Sequence, residues 1–197
     1  MGRTRTFDLE DAVIVAAKLF WRGYDQTSLT DLTEALNVAP ASFYYAFESK
    51  EALFRKVVER YVTMRDESFN RAFEAPTTTA GVEAMLRSYV DILTDPAHTP
   101  GCLVVNNFLS GMSDESLNKW LVGHRKTFRT MLEHQFAKDV ANGRLPLDVD
   151  VKEAAGFVVT FSGGLAVEAK SGTKRKQLYR MIDYAMDTVG RLLREPC

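Results

Sequence analysis

Apolar side chains recur at helical spacing along most of the chain, and no stretch alternates as a half-buried strand would. Leu9, Val13, Ala16 and Phe20 share one face of a first helix, with Ala12 and Leu19 beside them. Asp8 caps its start, Asp11 follows at capping-box distance, Phe7 can staple against Ala12, and Gly23 supplies a stop. A second helix starts at Thr27 or Ser28, where Ser28 and Asp31 have capping-box spacing, and it buries Leu29, Leu32 and Leu36. Asn37 makes the corner that follows, because a tight turn between helices needs a left-handed residue and Asn is the best non-glycine choice. Val38 anchors the turn, and Pro40 fits the first turn of a third helix over residues 40–46.

A long helix is predicted over residues 48–75, ended by Pro76 and a polar run to Gly81. Further helices are predicted over 82–93, 102–112, 116–142, 151–170 and 174–194. Breakers separate them at 95–101, 143–146 and 171–172. The pattern predicts an all-α protein. Residues 1–50 form an N-terminal three-helix helix-turn-helix unit, and residues 51–197 a larger helical domain, with the long helix running between them in place of a flexible linker.

The third helix divides in two. Phe43 and Phe47, four apart, point inward toward Leu32 and Leu36, while Pro40, Ala41, Ser42, Tyr44 and Tyr45 cover the other surface. A helix that is small at its start can approach base edges in a major groove. Ala and Pro carry no donors, so thymine methyl contacts and shape reading are expected to outweigh bidentate bonds. Lys50 stands beside a helix N-terminus whose free amides attract phosphate. Taken singly, Tyr44 and Tyr45 are equally ordinary helix aromatics; the combination of cap, Asn corner, split helix and Lys50 points to DNA.

The segment Ser28-Leu29-Thr30-Asp31-Leu32, Val38, Ser42-Phe43-Tyr44-Tyr45, Phe47 and Ser49-Lys50-Glu51-Ala52-Leu53 resembles the DNA-binding region of TetR/AcrR-family regulators. It departs from that pattern at Asn37 (usually Gly), Thr33 (often Ala) and Ala46 (commonly His or Tyr). The resemblance implies a DNA-binding N-terminal domain, a helical effector domain and a homodimer. Position by position, it implies that Ser28, Ser42, Tyr44 and Lys50 touch phosphates while Pro40, Ala41, Ser42 and Tyr45 face bases.

Charge cuts the other way. Residues 1–60 carry eight basic and nine acidic side chains, whereas a nucleic-acid-binding domain is usually basic. Arg3 and Arg5 precede the first acid, Asp8, and are read either as an arm for the minor groove or as a free tail. The composition, 46% hydrophobic and 26% charged, is that of a soluble globular protein. No apolar run approaches the roughly 20 residues a bilayer demands, and no signal-peptide pattern follows Met1. With two cysteines, Cys102 and Cys197, a disulfide framework is not expected, and the cytoplasm is the expected compartment.

His98, His124 and His134 show no metal-ligand spacing, His98 and Cys102 make a weak pair four residues apart, and no phosphate loop or nucleophile elbow occurs. Neither an enzyme nor a cofactor is expected. Several later helices are apolar on more than one face. Phe69, Phe73, Met85, Tyr89, Phe108, Trp120, Phe128, Met131, Phe157 and Phe161 are the candidates to line an apolar effector cavity, although such residues are often plain core. Asn106, with Asn107, is either a polar anchor there or half of a satisfied pair at a helix junction. Cys102, after Gly101 at a helix start, is either a reactive thiol or a small buried side chain.

The last two helices read as a dimerisation pair. Ser162-Gly163-Gly164 allows close backbone approach, and Leu178, Met181, Ile182, Ala185, Val189 and Leu192 form a stripe on the final helix. A dimer presents two recognition helices to a palindromic operator on double-stranded DNA. The expected function is therefore a ligand-responsive transcriptional regulator, foremost a repressor released by a small, largely apolar effector. Two alternatives stay open: a small-molecule-binding protein of the same fold without operator binding, which the acidic first domain favours, and an activator.

Overall fold

The computed structural model describes residues 8–194, so Arg3, Arg5 and Cys197 lie outside the described residues. These form helices throughout: α1 (Leu9–Phe20), α2 (Leu29–Leu36), α3 (Pro40–Phe47), α4 (Lys50–Ala72), α5 (Thr78–Leu93), α6 (Leu103–Leu109), α7 (Glu115–Ala141), α8 (Val151–Lys170) and α9 (Arg175–Leu193). No strand occurs among the described residues.

Local chemistry sets the boundaries. The Asp8 carboxylate accepts the Glu10 amide at 2.8 Å at the start of α1. Ser28 and Asp31 complete a reciprocal capping box on α2. Asn37 takes the left-handed conformation, φ 52°, ψ 49°, and turns the chain from α2 into α3.

The long helix begins two residues later than the hydrophobic pattern indicated. Glu48 is held at φ 64°, ψ −47°, and the Ser49 amide reaches back to the Phe47 carbonyl at 2.7 Å. That is a three-residue turn, strained for a side chain with a Cβ. Ser49 then caps α4 by accepting the Ala52 amide at 3.0 Å. At the other end α4 stops at Ala72. α5 begins at Thr78, four residues before the expected start, capped by Thr77, which accepts the Ala80 amide at 3.1 Å. A buried Asp139 locks this region, accepting from Thr78 at 2.8 Å and Gln135 at 3.1 Å.

α1 packs on α2 and on α4, and α3 closes against both α2 and α4. In the larger part α5 lies against α4, α8 and α9, and α8 lies between α7 and α9. The two parts share one hydrophobic core, continuous from Ala12 in α1 to Leu193 in α9. The Phe20 and Phe54 rings meet edge-on at 5.1 Å where α1 crosses α4.

Candidate nucleic-acid interface and effector cavity

α3 is eight residues long, and its two faces differ completely. Phe43 and Phe47 are 0% and 1% exposed, whereas Tyr44 is 50% and Tyr45 95% exposed. Pro40, Ala41 and Ser42 are exposed as well, as is Ser28 at the start of α2. A ring exposed to that degree contributes nothing to the core, so a stability argument does not account for Tyr45.

Lys50 is placed less openly than the sequence indicated. Its ammonium sits over the Tyr24 ring, 4.0 Å from the centroid. Burial lowers its pKa, while the Asp25 and Asp31 carboxylates work in the opposite direction. Burial, then the Glu51 carboxylate, raises the Tyr24 phenol.

The asparagine pair resolves as a helix junction. Asn107 accepts the Tyr24 amide at 2.6 Å and donates to the carbonyls of Phe20 and Leu103, each at 2.9 Å. Asn106 donates to the Trp21 carbonyl at 3.3 Å and the Pro100 carbonyl at 3.2 Å. Both side chains are fully buried. They satisfy carbonyls left open where α1 ends and thereby fasten the short α6 to the first domain. Trp21 adds a third tie, donating its indole N–H to the Gly101 carbonyl at 2.9 Å. Asn106, offered by the sequence as an anchor for effector, thus gives its amide N–H groups to this junction, keeps a buried Oδ1 without a hydrogen-bond partner, and does not border the inner cavity behind α6. A hydrogen-bonding residue in an apolar helix announces that it needs a partner, not which one.

Behind α6 lies an inner cavity of about 30 Å³, with room for only one or two waters. Phe69, Tyr89 and Phe128, three of the predicted lining residues, border it together with Arg65, Cys102 and His124. Cys102 is 1% exposed. It accepts a hydrogen bond from the Tyr61 hydroxyl at 3.2 Å, and Tyr89 borders the same cavity. Burial first, and the thiol second, push both phenols well above their ordinary range, so they remain donors.

Arg65 is 6% exposed. Burial opposes its charge, but Asp66 holds its pKa up through a 2.7 Å ion pair. Burial and Arg65 lower the pKa of His124. Sequence reasoning missed Arg65 and His124 although both stand on apolar stripes, Arg65 midway between Tyr61 and Phe69 on α4 and His124 between Leu121 and Phe128 on α7; a polar residue at an inward position was the available signal.

The other predicted lining residues lie elsewhere. Phe73 packs edge-on against Phe136 at 6.3 Å, and Met131 packs onto the core. Trp120 lies under the Arg55 guanidinium at 4.6 Å, and Phe108 under Arg125 at 5.6 Å. Phe157 and Phe161 border a groove of about 870 Å³ between α8 and α9. In this groove Met181 and Tyr184 are 46% and 72% exposed, an apolar surface on the pair of helices that the sequence marked for association.

No group of three or more His, Cys, Asp or Glu able to hold a metal occurs among the described residues. Nor is any helix there long and apolar enough to cross a membrane.

The fold agrees with that of known proteins. The family model for bacterial regulatory proteins, tetR family, matches residues 14–57, and that for the tetracyclin repressor-like C-terminal domain matches residues 79–185. The HTH-type transcriptional repressor ComR of Escherichia coli (strain K12) is 32% identical over 189 residues, covering 91% of this chain and 88% of its own. The repressor BdcR of the same organism is 42% identical over 62 residues. A cysteine-substituted form of the TetR family transcriptional regulator CifR, solved with a 26-base-pair operator duplex, superimposes with a TM-score of 0.87 at 34% identity. That match covers 94% of this chain and 98% of CifR. The chain belongs to the tetR family of bacterial regulatory proteins.

Proposed function

We infer that this protein is a homodimeric transcriptional repressor that holds a palindromic operator and releases it when a small, largely apolar effector binds. The observation that carries this reading is the outward face of α3, where Tyr45 is 95% exposed two residues from a fully buried Phe43. Repressor names among the relatives and an operator complex of a structural neighbour support it. Ser28, Ser42, Tyr44 and Lys50 are assigned to phosphates, and Pro40, Ala41, Ser42 and Tyr45 to base edges. Arg3 and Arg5 are assigned to the adjacent minor groove. The α8–α9 face is assigned to the second subunit, and binding to successive major grooves requires the two α3 helices to stand about 34–36 Å apart. The work is done in the cytoplasm, where the operator is.

The inner cavity is assigned to the effector, with Phe69, Tyr89 and Phe128 as its apolar contacts. Its present size admits one or two waters, so an effector must part its walls. One wall is α6, and α6 is tied to the end of α1 through Asn106, Asn107 and Trp21. A displacement of α6 therefore reaches the DNA-binding helices through hydrogen bonds rather than through a soft linker. Coupling of about 1–3 kcal/mol is expected, as for allostery generally.

The near-neutral first domain favours a second reading, a ligand-binding protein of this fold without an operator. Titration onto duplexes selected from a random pool, at two salt concentrations, separates the two. A repressor gives a palindromic consensus and a steep loss of affinity with salt; a carrier enriches no sequence.

A further inference from the structure

A second cavity, of about 490 Å³, lies apart from the small inner one, within the ~300–1,000 Å³ typical of small-molecule sites. It is formed where the two halves of the molecule meet. α1 contributes Val13 and Ala17, its capping residue Trp21 follows, α4 contributes Val57 and Met64, and α5 contributes Ile92. Among its lining residues Met64 is 54% and Ile14 39% exposed, and the Arg60 guanidinium lies 2.8 Å from the Met64 sulfur. The stacked rings of Trp21 and His98, 3.6 Å apart, close one end.

The rim is charged, and unevenly. Lys18, Arg60 and Arg71 stand around the opening, with Asp91 and Asp95. Asp91 is already engaged, accepting the Tyr179 hydroxyl at 2.6 Å and facing Arg175 at 3.3 Å. Asp95 accepts the Ala97 amide at 2.8 Å within its own turn. Arg60 reaches Glu10 only at 3.9 Å. Lys18 and Arg71 have no acidic partner among the described residues. An apolar floor under unneutralised cations is complementary to a molecule with a hydrocarbon body and one negative head.

We propose that the cavity between α1, α4 and α5 binds an amphiphilic anion, a medium-length alkyl or aryl carboxylate. The tail lies against Val13, Val57 and Ile92, and the carboxylate meets Lys18 and Arg71. One wall belongs to the helix that packs on α2, and the others to the helices of the larger domain, so occupancy biases the angle between them. That last clause rests on the operator-binding reading, because only differential contact with two domain arrangements turns binding into regulation.

Calorimetry of octanoate and of octanol on the full chain tests the site without DNA. Octanoate should bind the unaltered protein at least ten times more tightly than octanol. The Lys18→Glu, Arg71→Glu double variant should lose at least tenfold in octanoate affinity while binding octanol unchanged. Both side chains are exposed, so the fold is expected to persist; the single variant Ile14→Asp, which sets a carboxylate at the mouth, should weaken octanoate in the same way. Equal octanoate affinity in the unaltered and charge-reversed proteins overturns the proposal, as does octanol binding as tightly as octanoate. Duplex binding is measured separately on the unliganded chain: its failure refutes the operator reading alone, and failure of octanoate to bind a duplex-competent chain refutes this site alone.

Discussion

α3 and α6 are nearly the same length, eight and seven residues, and they live under opposite constraints. α3 buries Phe43 and Phe47, packs Ala46 beside them and gives its other residues to water, whereas α6 buries its first five residues, two asparagines among them. One helix is held by two aromatic pegs, so its outer face is free to be shaped for a partner. The other is tied to the end of α1 through the buried side chains of Asn106 and Asn107. A surface built for recognition can change without loss of fold; a junction cannot.

Substitutions at buried positions test that contrast most strongly. Phe43→Ala should cost about 3–5 kcal/mol of stability in urea unfolding, the usual cost of emptying a core aromatic site. Asn107→Ala should cost about 2–4 kcal/mol, since it strands buried carbonyls and an amide that the side chain now satisfies. It should also loosen the link between effector and duplex. An unfolding midpoint unchanged in Asn107→Ala would remove the junction from the account. On the same short segment, Cys102 should resist maleimide in the native protein and react only on unfolding; rapid native labelling would show that α6 opens freely.

On the outer face of α3 the expected effects are smaller and change kind. Tyr45→Ala should leave stability within about 0.5 kcal/mol, as exposed substitutions do. Duplex affinity should nonetheless fall about tenfold, or ~1.4 kcal/mol. Ala41 should alter sequence preference more than overall affinity, and Lys50→Ala should weaken all duplexes alike and reduce the salt slope by about one.

The smallest effect concerns pH. His124 titrates below its ordinary 6.5 because burial and Arg65 disfavour the imidazolium. The unfolded chain therefore takes up this proton first as pH falls. Stability should decline on acidification through about 6.5 and below, not on alkalinisation. His124→Gln should flatten that part of the profile, and a profile identical to the parent's would assign the slope to other groups.

What was legible in the sequence was local. Ser28 with Asp31, Asn37, and Pro40 each act within one turn of the chain, and each stands where the spacing put it. The split of α3 was legible because four-residue spacing alone assigns Phe43 and Phe47 to one face. Glu48 was misplaced because it reads as a good helix-starting residue, yet the tight passage from α3 to α4 forces it to positive φ. The junction at Asn107 was left open between two roles because its partner Tyr24 lies 83 residues away. The aromatics proposed for one cavity dispersed for a similar reason: helical periodicity says that Phe157 or Phe73 has an apolar neighbour, but not which helix provides it.

The central claim is that α3 presents its outer face to a duplex, twice per dimer. Fluorescence anisotropy on a duplex selected from random sequence, with the parent chain and Tyr45→Ala side by side, measures it most directly. The account predicts a palindromic site bound by two chains, a steep salt dependence, and a marked loss in Tyr45→Ala at an unchanged melting temperature. Equal binding by both proteins, or affinity indifferent to salt, would contradict it.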